Sequence, residues 1–166
     1  THMLDRGLNG LRMYPVPADV RRLMYKVKHA QGVDITRIFC GLNEVRNIIP
    51  SIKYALEGGM IPQATLCITH SPVHTVEYYA DIADKLIEAG APEICLKDMA
   101  GIGRPGMLGR LTKAIKEKHP EIIIQYHGHS GPGLSMASIL EVCENGADII
   151  DVAMEPMSWG KVHPDV

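Results

Sequence analysis

Three residues in this chain have side chains and surroundings suited to chemistry: His127, His129 and Lys97. The histidines close the stretch Glu121 to Gly133, EIIIQYHGHSGPG, in which a β-branched run reads as a buried strand. Spaced two apart on an extended chain, their imidazoles point to the same face. Two neutral nitrogens that converge at a strand end suit a divalent metal, because no long loop has to be ordered to bring them together. The plainer alternative is a pair of surface histidines at a strand exit. Lys97 closes the apolar run Ile94-Cys95-Leu96. Most lysines in such places snorkel to solvent. A desolvated one has a depressed pKa and reacts with carbonyl compounds or carbon dioxide. As a carbamate, Lys97 would become an oxygen ligand beside the two histidines.

The elements that must position these groups recur along the chain. Strand-like runs are expected at Ile35–Phe39, Ala64–Thr69, Glu93–Leu96, Glu121–Tyr126 and Asp148–Val152, with a sixth beginning at Met3-Leu4. Amphipathic helical patterns lie between them. Pro17 to Ala30 places Val20, Leu23, Met24 and Val27 on one face. Glu44 to Glu57 is interrupted by Pro50, which predicts a kink or a late start. His74 to Ala89, Met107 to Lys118 and Leu134 to Glu144 complete the series, with Gly90 and Asn145-Gly146 as stops. Strand, helix, glycine, strand is the pattern of a parallel sheet with crossover helices, and it leaves two closures: an open doubly wound sheet or part of a (β/α)8 barrel. No G-x-G-x-x-G follows a strand, which removes the dinucleotide argument. A whole barrel takes about 250 residues, so 166 residues are too few for one, and six strands make about three quarters of its eight. In either closure the chemistry belongs at the C-terminal strand ends. Those ends read Arg6, Cys40 to Asn43, Thr69 to Ser71, Lys97 to Met99, His127 to His129 and Met154-Glu155.

Composition excludes several classes of function. Seventeen basic and 19 acidic residues give a net charge of −2, and only 5% of residues are aromatic, so neither a basic stripe nor a stacking surface argues for nucleic acid. No apolar stretch approaches the ~20 residues that span a bilayer, and the N-terminus does not resemble a signal peptide. Cys40, Cys67, Cys95 and Cys143 lack C-x-x-C spacing; reduced thiols and a cytoplasmic setting are expected.

Six ordered motifs carry a family resemblance over nearly the whole chain. Lys97-Asp98-Met99-Ala100-Gly101 resembles the KDMAG motif of the carboxyltransferase domain of biotin-dependent enzymes, the group of pyruvate carboxylase, the oxaloacetate decarboxylase α subunit and transcarboxylase. Met3-Leu4-Asp5-Arg6-Gly7 resembles its MLLRG strand, and Arg37 to Asn47 its RVFDALNDxRN segment. Ser71-Pro72-Val73-His74-Thr75 matches SPVHT, and His127-Gly128-His129 the H-x-H pair. Met157-Ser158 with Gly160, His163 and Pro164 resembles the MSxG…HP ending.

The resemblance implies a partial (β/α)8 TIM barrel, roughly strands 3 to 8, as one incomplete domain over residues 1–166. It implies a divalent metal (zinc, manganese or cobalt) held by His127, His129 and carbamylated Lys97, and a keto-acid carboxylate held by Arg6. The reaction implied is carboxyl transfer between carboxybiotin and pyruvate or oxaloacetate, with biotin on a partner carrier domain or subunit and a homo-oligomeric parent enzyme. Membrane subunits would join it if the parent is a sodium-pumping decarboxylase. The sequence departs from the family where Cys40 stands for an aspartate and Glu44 for the aspartate of the LND triplet. Gly103-Arg104 replaces a leucine pair. The family's first two strands, with the fourth metal ligand, and its proton-shuttling threonine have no counterpart, so a fragment without activity of its own is expected. The rival readings are a metal-dependent 2-keto-acid lyase or condensing enzyme of the isopropylmalate synthase type, against which Lys97 in KDMAG argues, and a non-catalytic barrel module.

Overall fold

A computed structural model describes residues 1–158 and 162–164. Among these residues, six strands alternate with five helices: β1 His2–Asp5, α1 Ala18–Ala30, β2 Ile35–Ile38, α2 Val45–Glu57, β3 Ile61–Cys67, α3 Val76–Glu88, β4 Glu93–Asp98, α4 Pro105–Lys118, β5 Ile123–Gly128, α5 Ser135–Glu144 and β6 Ile149–Ile150. A short 3-10 turn, Gly7–Asn9, follows β1. The strands form one sheet in the order β1 to β6. Leu4 pairs with Arg37 and Arg37 with Gln63, both in parallel register. The chain divides into two compact units, residues 1–65 with 84–94, and residues 66–83 with 95–166.

In the first unit, α1 departs from the expected amphipathic reading. Val20, Leu23 and Val27 are exposed, Leu23 by 61%, whereas Arg21 and Tyr25 are buried. The reason is a polar network that only the second pair can reach. The Tyr25 hydroxyl donates to Asp5, Arg21 Nη1 donates to Ser51 Oγ at 3.2 Å, and Ser51 donates to the Gly7 carbonyl at 3.2 Å. Two positions one helical turn apart, tied to partners in β1 and α2, set the rotation of the helix.

Helix α2 has no late start. It begins at Val45 despite Pro50, with Glu44 as its cap. Glu44 accepts from the Arg46 backbone N–H at 3.1 Å and from its guanidinium at 2.7 and 3.0 Å, which holds this exposed carboxyl down to about 2. A satisfied first turn nucleates the helix ahead of the proline, whose missing N–H would otherwise delay it.

In the second unit, β4 and most of β5 are buried on both faces and the helices pack apolar side chains against them. Leu96, Ile124, Leu108, Leu111 and Val142 are fully buried. At about 25 cal/mol per Å² of apolar surface, each such side chain contributes roughly 1.5–3 kcal/mol. This packing anchors the strands whose ends carry Lys97 and the histidines. All four cysteines are free thiols.

Candidate metal centre

The second unit builds the site from three strand ends. β4 is buried along its whole length and carries Lys97 as its penultimate residue, only 4% exposed. The following residue, Asp98, folds the loop back upon itself. Its carboxylate accepts from the backbone N–H of Ile102 at 3.0 Å and Gly103 at 2.8 Å, while its carbonyl accepts from His129 N–H at 3.1 Å. Burial raises the Asp98 pKa against those stabilising hydrogen bonds. Gly101, at φ +67°, packs against the loop after β5: a Cβ there would lie 2.4 Å from the His129 carbonyl oxygen.

β5 ends on His127-Gly128, with His129 next. Its neighbour β6 pairs Gln125 with Ile149 and Tyr126 with Ile150, which brings Asp151 level with His127. His127 Nδ1 lies 2.7 Å from Asp151 Oδ2, and Gln125 Nε2 donates to the other carboxylate oxygen. The ring therefore donates its Nδ1 proton to the carboxylate and keeps a lone pair on Nε2. His163 repeats the arrangement, with Nδ1 donating to the Gly128 carbonyl at 3.0 Å.

His127, His129 and His163 place one nitrogen each within 4.8 Å of one another. Ring centroids are 4.4 Å apart for His127 and His163, and 4.6 Å for His129 and His163. Burial is the main cause lowering both the His127 and His129 pKa. The Lys97 charge lowers them further, whereas Asp151 raises that of His127 and Asp98 that of His129. Both rings are thus favoured in the neutral form that binds metals.

The sequence-expected residues fall out unequally. His127, His129 and Lys97 share the second unit, close enough for the lysine's charge to act on both rings. Arg6 belongs to the first unit, exposed just beyond β1, where it lines a cavity of about 170 Å³ with Asn9, Phe39, Cys40 and Asn47. His163 stood in the sequence only as part of a terminal motif, and Asp151 was hidden because the expected strand ran on to Val152. The observed β6 stops at Ile150, so Asp151, not Met154-Glu155, marks its end. Gly160 of the terminal motif lies outside the described residues.

Residues 41–157 match the family model described as HMGL-like. The chain belongs to the HMGL-like family. Among curated relatives, this HMGL-like chain is 42% identical over 164 residues to a pyruvate carboxylase subunit of Methanocaldococcus jannaschii, covering 98% of the chain and 28% of that protein. It is 38% identical to the methylmalonyl-CoA carboxyltransferase 5S subunit of Propionibacterium freudenreichii subsp. shermanii, covering 97% and 32%. Among solved structures, the carboxyl transferase domain of Rhizobium etli pyruvate carboxylase with pyruvate superposes with a TM-score of 0.94 at 32% identity, over 99% of this chain and 29% of that one. The same domain has also been solved with oxamate and biotin. The chain therefore spans about a third or less of each of these proteins. With six strands in sequential order and this superposition, the fold is part of a (β/α)8 barrel, as the motifs implied where the βα repeat alone left the closure open.

Proposed function

We propose that this HMGL-like chain is the metal-bearing part of a carboxyltransferase that moves a carboxyl group between carboxybiotin and pyruvate or oxaloacetate. The observation that carries the reading is the burial of Lys97 within electrostatic reach of His127 and His129, at the strand ends where the KDMAG and H-x-H motifs meet. The similarity to pyruvate carboxylase subunits and to a methylmalonyl-CoA carboxyltransferase subunit supports it.

The donor set fits a divalent transition ion, whether zinc, manganese or cobalt. Its imidazoles are neutral-leaning, and one is oriented by a carboxylate behind it, the arrangement that raises ligand basicity. A lysine ammonium would repel such an ion. Carbamylation turns that cation into an anionic oxygen donor and removes the conflict, so Lys97 acts as its carbamate. When bound, the ion polarises the keto oxygen of the substrate, as divalent ions do for carbonyls.

The remaining roles fall to the chain's own residues. Asp151 fixes the tautomer of His127. Asp98 holds the loop that follows Lys97. Arg6 is assigned the substrate carboxylate, for which a guanidinium offers a bidentate fork. Biotin arrives on a carrier domain or subunit of the parent protein, which is a homo-oligomer; membrane subunits belong to it only if it is a sodium-pumping decarboxylase. No described helix is long and apolar enough to cross a membrane, and four free thiols suit a cytoplasmic setting.

Biotin-dependent oxaloacetate decarboxylation by the full-length protein tests the reading, with wild type set against His129→Ala. Activity that needs biotin and disappears in the variant is expected. Activity with acetyl-CoA and a 2-keto acid, independent of biotin, would assign the chain to a condensing enzyme instead.

A further inference from the structure

A second cavity, of about 180 Å³, is walled by residues that the metal centre does not use. Its charged and titratable lining consists of Arg104, Arg110, His70 and His74, with no Asp or Glu among the described lining residues. Ile68, Ile102 and Met107 add an apolar wall. Helix α4 starts here, with Arg104 at its cap, Pro105 following, no side-chain cap and no acidic residue in its first turn. The positive end of the helix is therefore left uncompensated by its own sequence.

Neither guanidinium makes an ion pair among the described residues. Glu77 has its pKa lowered first by hydrogen bonds from its own backbone and Thr75, with Arg110 a smaller contribution. Two permanently charged side chains at one concave surface repel each other, and an anion between them relieves that repulsion.

The opposite wall is pre-arranged. Ser71 Oγ and His74 Nδ1 are 2.7 Å apart, Ser71 Oγ accepts from Val73 N–H at 3.2 Å, and Tyr79 Oη accepts from Thr69 N–H at 2.8 Å. A wall already ordered loses little entropy when a ligand enters.

We propose that this cavity binds a small organic anion. Its carboxylate or phosphate head lies against Arg104 and Arg110, and its apolar part lies against Ile68, Ile102 and Met107. The site is separate from the metal centre but mechanically joined to it. The N–H groups of Ile102 and Gly103, both in the cavity wall, are the ones that Asp98 holds. An occupant therefore touches the loop that follows Lys97.

Calorimetric titration of the intact protein with phenyl phosphate and with benzoate tests the proposal, comparing wild type, Arg104→Ala/Arg110→Ala and His129→Ala. Both arginines are exposed, so circular dichroism is expected to be unchanged in the double variant. Binding that weakens at least about tenfold in the double variant and survives in His129→Ala is the expected result, because losing charge-assisted hydrogen bonds costs about that factor or more. The probe that binds identifies the head group. Affinity unchanged in the double variant, binding lost only in His129→Ala, or neither probe binding with a Kd below about 10 mM would overturn it.

Discussion

Asp151 Oδ2 and His127 Nδ1 are 2.7 Å apart, and this single contact decides which nitrogen of the histidine is available to a metal. The carboxylate is itself held by Gln125, so a chain of three side chains across β5 and the end of β6 fixes the ring. Asp151→Asn keeps the shape but removes the negative charge behind the imidazole. Metal affinity is expected to fall roughly 10–100-fold, the usual effect of losing such a partner, with the fold retained. Competition titration against a chelating dye measures it. Unchanged affinity would mean that Asp151 plays no part in the site.

Lys97→Met retains a long buried side chain but cannot form a carbamate. If Lys97 binds the metal as its carbamate, as proposed, the loss in metal affinity is expected to exceed the roughly 10–100-fold of an outer-shell change. Carbon-13 NMR after incubation with labelled bicarbonate is expected to show a carbamate carbon in the wild type and none in Lys97→Met. A wild type without that signal, binding metal as tightly as the variant, would remove Lys97 from the ligand set.

Gly101→Ala tests the loop that joins Lys97 to the histidines. The backbone is at φ +67°, and a Cβ would meet the His129 carbonyl at 2.4 Å and Pro132 Cδ at 2.9 Å. Backbone strain and a clash against main chain together are expected to cost on the order of 2–4 kcal/mol of stability. Denaturant unfolding measures it, and a change within the roughly 0.5 kcal/mol of an ordinary surface substitution would refute the close packing of the two loops.

Asp5 sets a pH dependence of stability. Burial raises its pKa from 3.8 to about 6, against the lowering hydrogen bond from Tyr25. Between those values the unfolded chain releases the proton first, so the native state binds more protons and stability falls as pH rises. The contribution is full below pH 3.8 and lost by the time pH passes about 6. Relative to Asp5→Asn, the wild type is expected to lose about 2–3 kcal/mol between pH 4 and pH 7, near 1.4 kcal/mol for each unit of pKa displacement. Parallel melting curves for the two proteins would contradict this.

Much of the architecture was legible because it is periodic. β-branched runs, amphipathic stripes and glycine stops located all six strands and five helices, and the C-terminal strand ends held Lys97, His127 and His129. The rotation of α1 was not legible, because hydropathy ranks Leu23 above Arg21 whatever surrounds them. Only the positions of Asp5 and Ser51 reveal that Arg21 and Tyr25 turn inward. Asp151 escaped because the expected strand ran past it to Val152, and the level at which it faces His127 is a matter of register. His163 escaped because its neighbours in space, His127 and His129, are more than 30 residues away in sequence.

Metal content of the full-length protein tests the central claim most directly, with wild type compared with His127→Ala and His129→Ala, each purified with bicarbonate present. Near-stoichiometric divalent transition metal in the wild type, lost in both variants, is the result predicted. A wild type without metal, or variants that retain it in full, would leave the barrel fold standing and contradict the carboxyltransferase mechanism.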